Sequence, residues 1–487
     1  MKRATAAILC ALVVAPLSIP VEAAPNTDDY RFRRVQRNGP LGAYTRTWGA
    51  AWLDYDQDGD PDLFLGRHQY KPWFLVRTAH AFSQRFDGMF GKVDRHNCAW
   101  GEANRDGAPD LYCTTGAFKG QGEGPNQLFL RTQDGYTNEA TERGVADGRG
   151  RGRSVNWIDF DTDGDLDIFV GNKRRFSAAA RMFRNNNGNF ENADIGIDEP
   201  DVANATWADW DNDRDPDLLI LRGVDPAVMY ENIGGRFRRI SLPPITTKKW
   251  RSASWGDFNA DGWIDLHLVR AKRAVLLRNS GGGFERIDGR RLATGRMSAW
   301  LDVENDGDLD LFIVQGAFGF HPEPDAVNRP DRLLLNRRGR LTRLRHRVLD
   351  GPSRGTGGSV TISDYNRDGR ADILVTNGFQ AEAGRLWLIR NRSRSGRWIG
   401  IDLVGPAPNP LGYGSRIIIE TKGKTYRRQV TDGVTYRSQQ EVGYALFGLA
   451  TARRADIQIK WPDGTRSCYR ARTNRAIRAV HGRAPCN

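Results

Sequence analysis

Histidine is scarce, with seven residues in a chain of 487. They are scattered as His68, His80, His96, His267, His321, His346 and His481, and none belongs to an H-E-x-x-H pair. There is also no P-loop and no G-x-S-x-G. With no catalytic signature, the chain is expected not to be an enzyme. Beyond the N-terminus no run approaches 18 apolar residues, which excludes a membrane-spanning helix from the mature chain. The net charge is +13, yet no basic block resembles a nucleic-acid-binding arm, so the arginines read as a solvated surface and no nucleic acid is expected as partner.

Cysteine is sparse too, with five copies. Cys10 lies in the stretch MKRATAAILCALVVAPLSIPVEA. Lys2 and Arg3 form a basic region, Ala6 to Val14 a short apolar run, and Val21-Glu22-Ala23 a cleavage site. Residues 1–23 therefore read as a secretory signal peptide. Removing it leaves Cys98, Cys113, Cys468 and Cys486, an even number that suggests disulfides in an exported protein. Of the three possible pairings, the local ones, Cys98–Cys113 and Cys468–Cys486, are favoured. Cys98 and Cys113 flank one acidic stretch symmetrically and can face each other across a hairpin.

What the chain does have is that acidic stretch, seven times over. The copies are DYDQDGDPD from Asp54, EANRDGAPD from Glu102, DFDTDGDLD from Asp159, DWDNDRDPD from Asp209, DFNADGWID from Asp257, DVENDGDLD from Asp302 and DYNRDGRAD from Asp364. They recur every 45 to 62 residues. A tryptophan stands two residues before the first acid in six copies (Trp52, Trp100, Trp157, Trp207, Trp255 and Trp300), and Ile362 takes that place in the seventh. Its fixed place points to packing within the repeat rather than sugar stacking. A short apolar run follows each stretch, and further on lies a second run with an Asn- and Gly-rich turn, as in MFRNNNGNF and LLRNSGGGF.

Each unit thus reads strand, acidic loop, strand, strand, turn, strand. Four strands in a unit of this length is a propeller blade. The predicted fold is all-β: a seven-bladed β-propeller over 24–395, followed by a small β-domain over 396–487 with alternating strands and Gly/Pro turns. An extra strand, YRFRRVQ from Tyr30, stands before the first unit, and the last unit lacks its fourth strand. The N-terminal strand is therefore predicted to complete the last blade, leaving no unpaired edge at the closure.

Carboxylates this close repel one another and cannot be buried unpaired. Numbered from the first acid, oxygen side chains fall at positions 1, 3, 5 and 9, with glycine at 6, a pattern that suits a hard cation with six to eight oxygen ligands. Position 7 would add its carbonyl, and in several copies it is itself acidic. The candidate metal residues are Asp54, Asp56, Asp58, Asp60 and Asp62; Glu102, Asn104, Asp106 and Asp110; Asp159, Asp161, Asp163, Asp165 and Asp167; Asp209, Asp211, Asp213, Asp215 and Asp217; Asp257, Asn259, Asp261 and Asp265; Asp302, Glu304, Asp306, Asp308 and Asp310; and Asp364, Asn366, Asp368 and Asp372. Position 12 is apolar or cysteine in every copy, which rules out an EF-hand. Ca2+ fits better than Mg2+, with up to seven ions expected. Asn259, Asn366 and the Glu102/Asn104 pair predict weaker sites, and the Glu102 loop has the alternative of a metal-free turn held by hydrogen bonds. Arg214 stands where the other loops have glycine, which costs on the order of 1 kcal/mol if that position is left-handed.

These loops, with the preceding W-x-D and the following apolar run, resemble FG-GAP or VCBS repeats. The resemblance implies a β-propeller like that of integrin α subunits, with Ca2+ in its loops. RWIGIDLVG (Arg397 to Gly405), GYGSRIIIETKGKTYRRQV (Gly412 to Val430), YRSQQ (Tyr436 to Gln440), LFGLA (Leu446 to Ala450) and IQIKWPDG (Ile457 to Gly464) resemble the ASPIC/UnbV domain. Together the two are the arrangement of the cartilage acidic protein-like family. The resemblance implies an exported binding or adhesion protein, periplasmic, secreted or on the cell surface.

The expected function is a calcium-stabilised scaffold for a glycan or protein ligand, acting as a monomer. One alternative is an enzyme or redox accessory with a pocket at the propeller axis; another is a lectin-like reader of acidic polysaccharide. Trp73, Phe318 and Phe320 lie outside the repeated positions and are candidates for a partner surface. The glycine-rich stretch from Gly116 to Gln127 has no helix after it and reads as a blade loop rather than a phosphate cradle.

Overall fold

In the computed structural model, the described residues are 29–35, 40–78, 81–86, 88–116, 124–173, 179–241, 248–270, 273–287, 292, 294–315, 329–349, 358–379 and 382–486. The expected signal peptide over 1–23, His80, His321, Phe318, Phe320 and most of the glycine-rich stretch lie outside them. Cysteines 98 and 113 are bonded, as are 468 and 486. The first pair sits directly opposite in adjacent strands, as the hairpin reading expects. No helix among the described residues is long and apolar enough to cross a membrane.

The fold is a β-propeller. Each acidic stretch joins the first and second strands of an antiparallel sheet, four-stranded in six cases and extended to six strands in the first blade by a hairpin from the C-terminal region. The first strands are Gly49–Leu53, Arg95–Gly101, Gly152–Ile158, Val202–Ala208, Ser252–Gly256, Met297–Leu301 and Ser359–Ser363. They contact one another in sequence order, and the last contacts the first, which closes a ring. Burial falls outward. Gly49–Leu53 is wholly buried, whereas Phe82–Arg85 at the rim of the same sheet is half or fully exposed. Strands covered on both faces need continuous apolar runs, which explains the LFLG- and IFVG-type segments. Phe32–Val35 pairs antiparallel with Trp387–Asn391, so the N-terminal strand completes the last sheet as predicted.

The repeated tryptophans pack between blades. Trp52, Trp100, Trp157 and Trp207 are fully buried. Trp52 Nε1 donates to Thr361 Oγ1 at 2.7 Å, Trp157 Nε1 to the Ala99 carbonyl at 3.0 Å and Trp300 Nε1 to the Ser254 carbonyl at 3.2 Å, each reaching the preceding blade. Gly101 is required by this contact, since a Cβ there would lie 2.1 Å from the Trp157 ring.

Residues beyond the ring form two further sheets. One orders Lys424–Gln429, Arg416–Thr421, Arg454–Lys460 and Arg466–Arg472; the other orders Tyr444–Gly448, Trp398–Val404 and Arg475–Val480. They enclose their own core of Ile399, Ile401, Ile417, Ile419, Phe447, Ile457, Ile459 and Trp461.

The propeller axis is filled by the chain itself. Val434–Thr435 and Ser438–Gln439 form a small hairpin, and Gln439 pairs with Ala51 of the first blade. First strands at the centre of a ring have peptide groups turned to the axis, and buried groups need partners. Polar side chains of 429–441 supply them. Ser438 Oγ accepts from Ala50 N, Gln439 Oε1 from Trp100 N, Asp432 Oδ2 from Trp157 N, Gln429 Oε1 from Asp209 N, Gln440 Oε1 from Ile362 N and Glu441 Oε2 from Asp364 N. This corrects the idea of an open axial pocket: the YRSQQ segment is a plug.

Candidate metal-binding loops

The loops share one winding. The position-1 carboxylate accepts the N–H of position 6: Gly59 to Asp54, Gly164 to Asp159, Arg214 to Asp209, Gly262 to Asp257, Gly307 to Asp302 and Gly369 to Asp364, at 2.8 to 3.2 Å. Asp58, Asp106, Asp163, Asp213, Asp261 and Asp306 at position 5 accept the N–H of position 7. Such bonds turn the backbone twice. Position 6 is left-handed throughout, with Arg214 at φ 91° among the glycines. Position 4 is left-handed as well (Gln57, Arg105, Thr162, Asn212, Ala260, Asn305 and Arg367), which the mixed residues there did not signal.

Position 9 opens the second strand and has a double role. Asp62 accepts from Tyr55 N and Arg77 N, Asp167 from Phe160 N and Asn185 N, and Asp217 from Trp210 N and Asn232 N. Asp110, Asp265 and Asp310 repeat the pattern, and Asp372 accepts from Asn391 N. Each carboxylate therefore ties its loop to the third strand. It still keeps lone pairs, because an ionised carboxylate offers about four acceptor sites.

Three loops bring carboxylates within 4.8 Å of one another: Asp54, Asp56 and Asp58; Asp159, Asp161 and Asp167; and Asp209, Asp211 and Asp217. These groups can hold a metal ion. Where position 3 is asparagine, its amide donates instead to position 5: Asn104 to Asp106, Asn259 to Asp261 and Asn366 to Asp368. In those loops one position-5 oxygen is thereby satisfied within the loop. Glu304 in the Asp302 loop is drawn to the Tyr30 hydroxyl at 3.0 Å. Position-7 carboxylates turn to other partners: Asp60 to Arg77, Asp165 to Arg105, Asp215 to Gly234 N and Asp308 to Lys424. These contacts occupy part of each side chain's acceptor capacity.

Burial dominates the electrostatics of the loops. Burial raises the Asp54 carboxyl to about 6 and Asp159 to about 7, and it raises Asp62 and Asp217 to about 8 and Asp167 to about 9. Asp302, Asp310, Asp110 and Asp372 are also raised well above the ordinary carboxylate range, again chiefly by burial. Desolvation penalises the charged form, and a nearby positive charge reverses it. Several loop oxygens are buried with no hydrogen-bond partner, among them Asp159 Oδ1, Asp161 Oδ1, Asp209 Oδ1 and Glu102 Oε2. Unsatisfied acceptors converging from one loop fit an oxygen-ligated ion.

Sequence reading missed a ring of asparagines on the third strands. Asn185, Asn232, Asn279, Asn336 and Asn391 each donate Nδ2 to the position-2 carbonyl of the preceding loop, namely Ala103, Phe160, Trp210, Phe258 and Val303. The letters were visible in MFRNNNGNF and LLRNSGGGF, where they read as turn residues. In the second blade the Arg131 guanidinium reaches the Tyr55 carbonyl in the same way.

The acidic loops face the C-terminal sheets. Arg416 contacts Asp209, Lys424 contacts Asp308, and Glu441 contacts Arg367. A cavity of about 540 Å3 lies between the two parts, lined by Trp255, Trp300, Tyr426, Arg428, Glu441 and Tyr444 among others. Trp73, a candidate partner-surface residue, carries the Arg67 guanidinium 4.4 Å from its ring.

Comparison with known proteins fits this architecture. The FG-GAP-like repeat family matches residues 103–170, 159–220, 209–268, 257–313 and 302–375, and the ASPIC and UnbV family matches 405–484. Cartilage acidic protein 1 of Xenopus tropicalis is 24% identical over 498 residues, covering 88% of this chain and 73% of that protein. Its Homo sapiens counterpart is 23% identical, covering 86% and 69%. Among solved structures, BBS1N in complex with ARL6DN aligns with 74% of this chain and 96% of its own at 11% identity and a TM-score of 0.47. An Agrocybe aegerita lectin recognising non-reducing terminal N-acetylglucosamine aligns with 71% and 81% at 14% identity and a TM-score of 0.36.

Proposed function

This chain belongs to the FG-GAP-like repeat family, and from that premise we propose that it is an exported, calcium-stabilised seven-bladed propeller that serves as a binding scaffold. The observation that carries the calcium reading is the clustering of three carboxylates in each of the loops from Asp54, Asp159 and Asp209, with buried oxygens that lack a hydrogen-bond partner in the latter two. Ca2+ in these loops would neutralise charges that the fold otherwise holds apart from water. The two disulfides support export to an oxidising compartment, periplasmic or extracellular.

The ligand we propose is a glycan or a protein. With the axis filled by residues 432–441, binding falls to the blade faces and to the cavity between the loops and the C-terminal sheets. That cavity, with its tryptophans and a few polar groups, has the size and lining of a small-ligand site. The test is capture on a glycan array and from a protein mixture, in Ca2+ and in chelator, with wild type and a Trp255→Ala/Trp300→Ala variant. Capture that requires Ca2+ supports the scaffold reading. Capture unchanged in chelator would contradict its dependence on calcium.

A further inference from the structure

His68 and His96 are far apart in sequence among sparse histidines, yet the fold brings them together. Asp94 immediately precedes the second blade's first strand, and His96 sits at a register shift between Arg95 and Asn97 near its start. His68 follows the second strand of the first blade, Asp62–Gly66. His68 Nε2 lies 2.6 Å from Asp94 Oδ1, and His96 Nε2 lies 3.4 Å from the same oxygen. One ligand atom from each of the three residues falls within 4.8 Å of the others, and all three residues are buried.

We propose that His68, Asp94 and His96 form a site for a borderline divalent transition metal, Zn2+ in the first place. Two imidazole nitrogens and one carboxylate oxygen are the donor set such ions prefer, whereas Ca2+ takes oxygen alone. Ligand atoms around a tetrahedral Zn2+ lie about 3.3 Å apart. The His96–Asp94 separation is already of that size, and the His68 nitrogen needs to draw back by less than about 1 Å.

The surroundings are those of a built site. Trp48 stacks on the His68 ring at 4.4 Å and meets His96 edge-on at 5.4 Å. The Arg437 guanidinium of the axial plug covers the other side of the Trp48 ring at 3.6 Å. Gly116 leaves the space open, since a Cβ there would lie 2.2 Å from His96 Nε2 and 2.6 Å from Asp94 Oδ2. His96 Nδ1, the ring nitrogen turned from Asp94, is buried without a hydrogen-bond partner, while Asp94 Oδ1 is approached by both imidazoles. Three protein ligands leave a fourth position open. The site lies at the start of the second blade's first strand, the opposite end from its acidic loop, so the two metal chemistries are spatially separate.

The test uses the full mature chain, stripped of metals and returned to excess Ca2+. Co2+ is titrated and read by visible absorption, then displaced with Zn2+. The proposal expects one Co2+ per chain with a ligand-field band, displaced by Zn2+ and unaffected by Ca2+. Asp94→Asn, which keeps shape and hydrogen bonding, and His68→Gln/His96→Gln are each expected to weaken binding more than about tenfold. If wild type takes up no stoichiometric Co2+, Asp94 merely orients two imidazoles and the site is refuted. Binding that survives in a folded His68→Gln/His96→Gln variant places the metal elsewhere, for example at His481 and Asp463, and equally overturns it.

Discussion

Arg214 shows how far one loop departs from its siblings. At φ 91° it holds a conformation that six glycines hold elsewhere. Replacing it removes the Cβ penalty, so Arg214→Gly is expected to raise stability by about 1 kcal/mol in a denaturant titration. No gain would mean that Arg214 makes compensating contacts. The same scale sets the pH response. Burial holds Asp62 and Asp217 at about 8 and Asp167 at about 9. Without metal, the folded chain keeps protons that the unfolded chain releases near pH 4. That contribution is present at low pH and is lost as pH rises toward 9. A bound cation needs the ionised form, so its stabilisation grows over the same window. The gap between unfolding midpoints in Ca2+ and in chelator should therefore widen from pH 5 to pH 9, and a gap that narrows would refute the assignment of these carboxylates.

Among elements, the third-strand asparagines hold blade to blade. Asn232 Nδ2 donates to the Phe160 and Pro216 carbonyls, and its oxygen accepts from Gly235 N. Asn232→Ala strands these buried groups, with an expected loss of about 1–3 kcal/mol for each group left unpaired. Asn232→Asp, retaining only the acceptor, should fall between the two; thermal melts of the three proteins decide this. The contrast with what the sequence revealed is physical. Blades, ring closure and disulfides were legible because each depends on local period or on a simple count. The asparagine ring was present as letters, but its partners lie in the preceding blade, 72 residues away for Asn232 and Phe160. The axial plug was illegible for the same reason. Ser438 and Gln439 are polar residues in a short segment without periodicity, and their partners are 388 and 339 residues distant.

For the whole molecule, the proposed calcium sites predict coupling between metal binding and the C-terminal domain. The loops from Asp209 and Asp302 touch the C-terminal sheets through Arg416 and Lys424, the Asp364 loop meets Glu441 at the end of the axial segment, and Gly396 N donates to the Glu304 carbonyl. Removing Ca2+ should loosen this face. Hydrogen exchange is then expected to quicken in residues 416–448 in chelator, while the core strands Ile399 and Ile401 stay protected; uniform exchange with and without Ca2+ would contradict the coupling. The tryptophans of the cavity, Trp255 and Trp300, border the same loops, so intrinsic fluorescence gives an independent reading. All of this rests on the loops being structural calcium sites. The most direct measurement is the thermal unfolding midpoint of the full mature chain at rising Ca2+ against a chelator control, with Asp54→Ala/Asp56→Ala and Asp159→Ala/Asp161→Ala alongside. A midpoint that climbs with Ca2+ by mass action, and climbs less in both variants, is the predicted result; equal midpoints in Ca2+ and chelator would contradict the account.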